Sequence, residues 1–132
     1  MKGFIKNIEE ETIANENFRK VLYTTKDSQL VLMNLIPKEE IGLEIHNGDQ
    51  FFRFEKGEGK VIIDKVEHLV SDGFAVVVPS GAEHNIINTS ATESLKLYTI
   101  YSPAHHRHGV VHITKQEAEK DDEHFDGKVS EE

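Results

Sequence analysis

The chain has 132 residues, 37% of them hydrophobic and 30% charged, which suits one soluble globular domain with a real core. Its net charge of −9 argues against a nucleic-acid partner, and the lack of cysteine excludes disulfides and thiolate metal sites. No apolar run approaches the roughly 20 residues of a membrane helix. The N-terminus lacks the apolar core of a secretory signal, so a cytoplasmic protein is expected.

Residues 1–17 are polar and acidic and read as a short arm or helical turn. Arg19 to Thr25 is β-branched and aromatic enough for a strand. Asp27-Ser28 turns, and Gln29 to Ile36 is a longer strand stopped by Pro37. Lys38-Glu39-Glu40 links it to Glu44–Phe54, which reads as strand, turn at Asn47-Gly48, and strand again. Alternate side chains of a strand share a face, so Glu44 and His46 point the same way and can converge on one metal ion. Gln50 lies just past the turn, where it can fold back toward the same point.

Gly57-Glu58-Gly59 marks a tight connection. Lys60 to Asp64 and Val66 to Val70 make two short strands about a turn at Asp64-Lys65, with a further turn at Ser71-Asp72-Gly73. Phe74 to Val78 is a continuous apolar run and is expected to be a buried strand. Pro79-Ser80-Gly81 breaks it, His84 to Asn88 resumes, and Ser94 to Ser102 is the last clear strand. Eight or nine short strands without an intervening helical pattern predict an all-β barrel or double sheet. The core spans about residues 18–102 of a single domain, 1–132.

The remainder differs. Pro103 to Gly109 is an irregular loop. Thr114-Lys115-Gln116-Glu117 has the form of a capping box and predicts a short helix over 115–121. Asp121 to Glu132 is acidic and expected to fray.

Gly73, Pro79, Gly81, His84 and Asn88 meet in full the motif Gly-(x)5-Pro-x-Gly-(x)2-His-(x)3-Asn. By this motif the chain resembles the cupins, over roughly Gln29 to Tyr101, with mannose-6-phosphate isomerase-like cupins nearest in pattern. A second cupin motif, Gly-(x)5-His-x-His-(x)3,4-Glu-(x)6-Gly, is met in part. Aligned on Gly57, its glutamate position holds Gln50, its second histidine is His46, its first histidine position holds Glu44, and its leading glycine position holds Lys38. The resemblance implies a double-stranded β-helix, or jelly-roll barrel, with a metal in its mouth. Here it carries an N-terminal arm and a short C-terminal helix.

Glu44, His46 and His84 make two imidazoles and one carboxylate. That set suits Fe, and Mn, Zn, Ni or Co can also occupy it, with Gln50 as a weaker fourth ligand. Read alone, a histidine beside a turn is more often a hydrogen-bonded residue than a ligand; two at these spacings favour ligation. Phe52 and Phe54 share the parity of Gln50 and should line the interior, with Arg53 outward. Leu95, Leu97, Thr99 and Tyr101 share a face, so Tyr101 looks into the pocket and Lys96 lies opposite. The run His105-His106-Arg107-His108 reads as a solvated loop rather than a second metal site. Its position also lets it fold over the mouth and supply His105, His106 or His112 as an acid–base group. His68 reads as structural.

Three functions fit: a metal-dependent sugar or sugar-phosphate isomerase-like enzyme, a metal-dependent dioxygenase, and a non-catalytic small-molecule binding module. Each takes a small polar ligand. An arm and exposed sheet edges further predict a homodimer.

Overall fold

The computed structural model describes residues 1–131. Asn7 caps the first helix, α1 (Ile8–Ala14), by accepting from the amide of Glu10, and three glutamates occupy the first turn, where the helix dipole favours them. Ten strands follow the helix among the described residues: β1 (Arg19–Thr24), β2 (Gln29–Leu35), β3 (Glu44–Ile45), β4 (Asp49–Lys56), β5 (Glu58–Ile63), β6 (Val66–Ser71), β7 (Ala75–Val78), β8 (Glu83–Asn88), β9 (Leu95–Ser102) and β10 (Val111–His112). The second helix, α2 (Lys115–Lys120), comes last. The strands form two antiparallel sheets, ordered β10-β1-β2-β9-β4-β7 and β3-β8-β5-β6. This is the jelly-roll barrel expected from the sequence; β10, only two residues long, was not foreseen.

The core lies between the sheets. Met33, Leu35, Phe52, Phe54, Ile86 and Leu97 form part of one buried cluster, and burying each side chain of this kind stabilises the fold by roughly 1.5–3 kcal/mol. The parity expected on β4 and β9 holds: Phe52 and Phe54 face inward, and so do Leu95, Leu97, Thr99 and Tyr101. Lys96 points outward yet is buried, because the α1 arm covers it. Its Nζ donates to Asn15 O at 2.6 Å and pairs with Glu16 at 3.3 Å. The same cover explains β2, which is buried on nearly every residue.

Two expectations are corrected. The apolar run Phe74 to Val78 is not a buried strand: Phe74 and Val77 are exposed and only Val78 is fully buried. β7 is the edge of its sheet and pairs only with β4, so no layer covers its outer face. Nor is the C-terminal segment frayed within the described residues; Glu132 lies outside them. Phe125 N donates to His105 O at 2.9 Å, Ser130 N donates to Thr24 O at 2.9 Å, and Glu131 accepts from the amide of Gly3. His68 is exposed on β6, so it has no core role. The capping box forms, with Glu117 N donating to Thr114 Oγ1 and Glu117 reaching back to the amide of Ile113.

Asn88, the last residue of the fully met motif, is wholly buried and structural. Its Nδ2 donates to Leu35 O, Ile36 O and Glu93 O, holding the β8–β9 turn against the end of β2. Gly48 has a different constraint. Its φ is 131°, and a Cβ there would stand 2.6 Å from Ser102 O and 2.9 Å from the Pro103 ring. At Gly73, φ is also positive but the surrounding space is open. Gly48→Ala should therefore destabilise by about 2–4 kcal/mol and Gly73→Ala by about 1–2 kcal/mol. Urea midpoints measure both; an equal loss would contradict close packing at Gly48.

Candidate metal centre

β3 is two residues long, and it pairs with β8 so that Glu44 lies directly opposite His84 and Ile45 opposite Glu83. Cross-strand partners share a face, so the pairing alone brings carboxylate and imidazole together. His46 leaves the end of β3, where its carbonyl accepts from Gly81 N at 2.9 Å. This backbone bond ties the Asn47-Gly48 turn to the Pro79–Gly81 turn and swings the His46 ring into the mouth. Ligand atoms of Glu44, His46 and His84 all lie within 4.8 Å of one another. Gln50 comes from the facing sheet, where it pairs with Tyr101 and Val78. The four candidate ligands thus meet across the gap between the sheets.

Two polar details fit a cation. His84 Nδ1 stands 3.0 Å from Ala82 O, a pure acceptor, so Nδ1 carries hydrogen and Nε2 of the neutral ring is bare. That bare nitrogen faces Gln50 Oε1 at 3.2 Å, while Gln50 Nε2 donates to Thr99 Oγ1 at 3.0 Å. Two acceptor atoms turned toward each other suit a shared positive ion. His46 Nε2, in turn, is buried without a hydrogen-bond partner of acceptable geometry, although Glu44 Oε2 is only 2.6 Å away. Burial works to raise the Glu44 carboxyl, but the close contact and charge of His46, with Arg19 and His84 behind it, hold it below its ordinary value. The donor set therefore fits a divalent metal.

The loop after β9 does fold over this mouth. Gln29, at the start of β2, clamps it: Oε1 accepts from the amides of His105 (3.2 Å) and His106 (2.8 Å), and Nε2 donates to His106 O (2.8 Å). The His105 ring stacks on Tyr101 with centroids 5.0 Å apart and meets His46 edge-on at 4.5 Å. Although the residue is exposed, partial desolvation of the ring, aided by His106 and His46, pushes His105 down to about 4. It is therefore neutral at pH 7.

Behind it runs a hydrogen-bonded chain. Tyr101 Oη lies 3.1 Å from His106 Nε2, and His106 Nδ1 lies 2.7 Å from Glu123 Oε2. Glu123 Oε1 accepts from Arg107 N at 2.7 Å. Burial pushes the Tyr101 phenol well above its ordinary value and, outweighing the hydrogen bond to Glu123, pulls His106 down. Burial opposes ionisation of Glu123, but the bond to His106 and the Arg107 amide prevail and hold its carboxyl at about 2. The directions agree on one state: Tyr101 donates to a neutral His106, which donates to an anionic Glu123.

His112 stands apart from this group. Its Nδ1 lies 3.3 Å from Arg19 Nη1 and its Nε2 lies 3.0 Å from Asp121 Oδ2, so both ring nitrogens are engaged. Of the acid–base candidates, the structure brings Tyr101, His105 and His106 to the centre and places His112 on Arg19. Gln29, Arg19 and Glu123 were not singled out from the sequence. Arg19 shares the parity of inward-facing Val21, a usable signal; Glu123, in an acidic tail, had none.

Fold and site together define a double-stranded β-helix with a carboxylate–imidazole group of metal-binding type at its mouth. The chain belongs to the Cupin_2 cupin-domain family, which residues 31–101 match. It is 43% identical over 119 residues to the uncharacterized protein L612 of Acanthamoeba polyphaga mimivirus, covering 87% of this chain and 74% of that one. It is 49% identical over 124 residues to the uncharacterized protein YrkC of Bacillus subtilis, covering 89% and 66%. The crystal structure of BH2720 from Bacillus halodurans superposes with a TM-score of 0.88 at 42% identity, over 91% of this chain and 96% of that one. An RmlC-like cupin from Shewanella frigidimarina, at 22% identity and a TM-score of 0.61 over 65% and 75%, shares the fold. No helix of the described residues is long and apolar enough to cross a membrane.

The Glu123–His106 contact has a pH signature. Glu123 has its carboxyl held at about 2, so its stabilisation is complete above the ordinary carboxylate value of 4.5 and is lost as pH falls toward 2. Relative to Glu123→Gln, the native chain should be more stable by about 1–3 kcal/mol at pH 7. The gap should close between about pH 5 and 2, as followed by urea unfolding across pH. A constant gap would remove Glu123 as the titrating partner.

Proposed function

We propose that this chain is a metal-dependent enzyme acting on a small polar molecule, with a proton transfer of the sugar-isomerase kind as its reaction. The observation that supports this best is the presence of acid–base groups beside the Glu44–His46–His84 group, namely His105 against His46 and the Tyr101–His106–Glu123 chain. A binding module needs no such chain. A divalent ion, one of Mn, Fe, Zn, Ni or Co, supplies polarisation of adjacent carbonyl and hydroxyl oxygens when bound. Glu44, His46 and His84 would hold it, with Gln50 Oε1 as a fourth ligand.

The remaining work falls to the chain's own residues. His105, neutral at pH 7, accepts a proton from a substrate carbon at an unprotonated ring nitrogen. Tyr101 keeps its proton and, with the His105 ring stacked on it, fixes the edge of the pocket. The clamp from Gln29 holds the loop in place over the mouth. Dioxygenation is the second reading, favoured by the donor set itself, since two histidines and one carboxylate with open positions suit Fe(II) oxygen chemistry.

Protein purified without chelator should contain a divalent metal by elemental analysis. Glu44→Ala and His84→Ala should lose it while circular dichroism still reports a folded barrel; unchanged metal in both would sink the ligand assignment. With hydroxyaldehydes and hydroxyketones in D2O, proton NMR should show carbon-bound hydrogen exchanging in the native protein. His105→Ala should slow that exchange about 100-fold or more with metal content intact. Oxygen uptake without exchange would transfer the reading to a dioxygenase, and ligand binding with neither would make it a binding module.

A cytoplasmic homodimer without nucleic-acid partners belongs to the same reading. The net charge of −9 supports the last part. The dimer is supported by two of the four edge strands, which expose Val66 and Leu69 on β6 and Val77 on β7, with Phe74 beside them. Light scattering at micromolar concentration should give twice the 15.0 kDa chain mass; a monomer would refute it.

A further inference from the structure

Arg19 is a buried cation with no anion in direct contact, although its charge acts on Glu44 and Glu123 from a distance. It is 8% exposed and makes no ion pair among the described residues. Its Nε is buried with no hydrogen-bond partner, and of its other donors Nη1 reaches only the neutral acceptor His112 Nδ1 at 3.3 Å. Asp121 accepts from His112 Nε2 at 3.0 Å, so the imidazole is set with its lone pair toward the guanidinium. The Phe18 ring, 5.3 Å from the guanidinium carbon, adds only a weak cation–π contact. A buried unpaired charge is costly, so an arginine held this way calls for a partner.

The partner has a place to sit. Arg19 lines a cleft of about 230 Å³, together with Phe18, Ile41, Glu44, Lys115 and Glu119. The cleft opens between β1 and α2 and reaches Glu44 of the candidate metal centre. Two carboxylates also line it. Glu44 faces His46, and its charge is drawn to that side; Glu119 sits on α2 with Lys115. Arg19 thus brings to the cleft a planar guanidinium of which only Nη1 is engaged, by His112, and whose remaining donors suit carboxylate or phosphate oxygens.

We propose that Arg19 anchors an anion subsite, and that the ligand of this protein carries a carboxylate or phosphate which pairs with Arg19 while its other polar atoms reach the Glu44–His46–His84 group. The subsite deepens the functional reading above by naming the substrate class. It rests on that reading only for the second half, because the anion contact needs no metal.

The test uses the native full chain after chelator treatment, with inorganic phosphate and malonate as probes and chloride at matched ionic strength as control. Phosphate, malonate or both should raise the thermal midpoint, and chloride should not. The chain has three arginines, so the Arg19 Nε–H signal is assignable by NMR and should shift in the same titrations. Arg19→Met should weaken anion binding about 30-fold or more. Arg19→Lys, which keeps charge without the fork, should retain part of it. The tighter of the two anions names the group, and either result supports the subsite. Equal anion affinity in native protein and Arg19→Met, or no response of the native Arg19 signal to either anion, would overturn it. Should Arg19→Met not fold, the native NMR titration decides alone. Because the probes act without metal, loss of the metal assignment would leave this result standing, and the reverse holds as well.

Discussion

A carboxylate and an imidazole face each other across a strand pair only two residues long, and the mouth is built around keeping them there. Glu44 and His84 are partners on β3 and β8, and His46 is drawn in beside them by the backbone bond from Gly81. Two ring nitrogens there lack a well-formed neutral hydrogen bond: His84 Nε2 looks at the acceptor Gln50 Oε1, and His46 Nε2 stands 2.6 Å from Glu44 Oε2 without hydrogen-bond geometry. Unsatisfied buried polar atoms cost stability unless a ligand completes them. His46 Nε2 is such an atom, and it lies at the mouth of the barrel beside Glu44 and His84.

The polypeptide beyond the barrel serves this end. Gln29 bonds both amides of the His105-His106 pair, and Glu123 returns from beyond α2 to bond His106 and the Arg107 amide. Loop and C-terminal segment therefore form one lid, fixed from two sides. Rings of Tyr101, His105, His106 and His46 pack on one another beneath it. Such packing buries Tyr101 and His106, while His105 stays exposed at the surface with its proton affinity lowered by partial desolvation and the neighbouring imidazoles. Arg19, His112 and Asp121 make a second polar chain, and Arg107 touches both, with its amide on Glu123 and its guanidinium 3.6 Å from Asp121.

Much of this was legible in residue order. The Gly73-to-Asn88 spacing carried the barrel because each member meets a backbone need: Gly81 adopts a positive φ, and Asn88 bonds three carbonyls. Alternation correctly sent Phe52, Phe54 and Tyr101 inward. Reading the continuous apolar run Phe74 to Val78 as a buried strand failed on β7, whose run looks like that of β2. The difference is cover: α1 lies over the outer face of β2, and nothing lies over β7. A run of apolar residues records what a strand can bury, not whether a neighbour arrives to bury it.

By itself, then, the sequence determined the strand pattern, the inward parity and the shared face of Glu44 and His46, because these depend on separations of a few residues along the chain; His84, 38 residues beyond His46, was joined to them only by the spacing of the motif it completes. Tertiary structure alone decided that His105 and His106 close the mouth while His112 serves Arg19, and that Glu123 joins them. Those contacts link residues 17 to 93 positions apart. Local periodicity carries no information over such distances; the register of β1 with β10 and the path of the chain beyond α2 supply it.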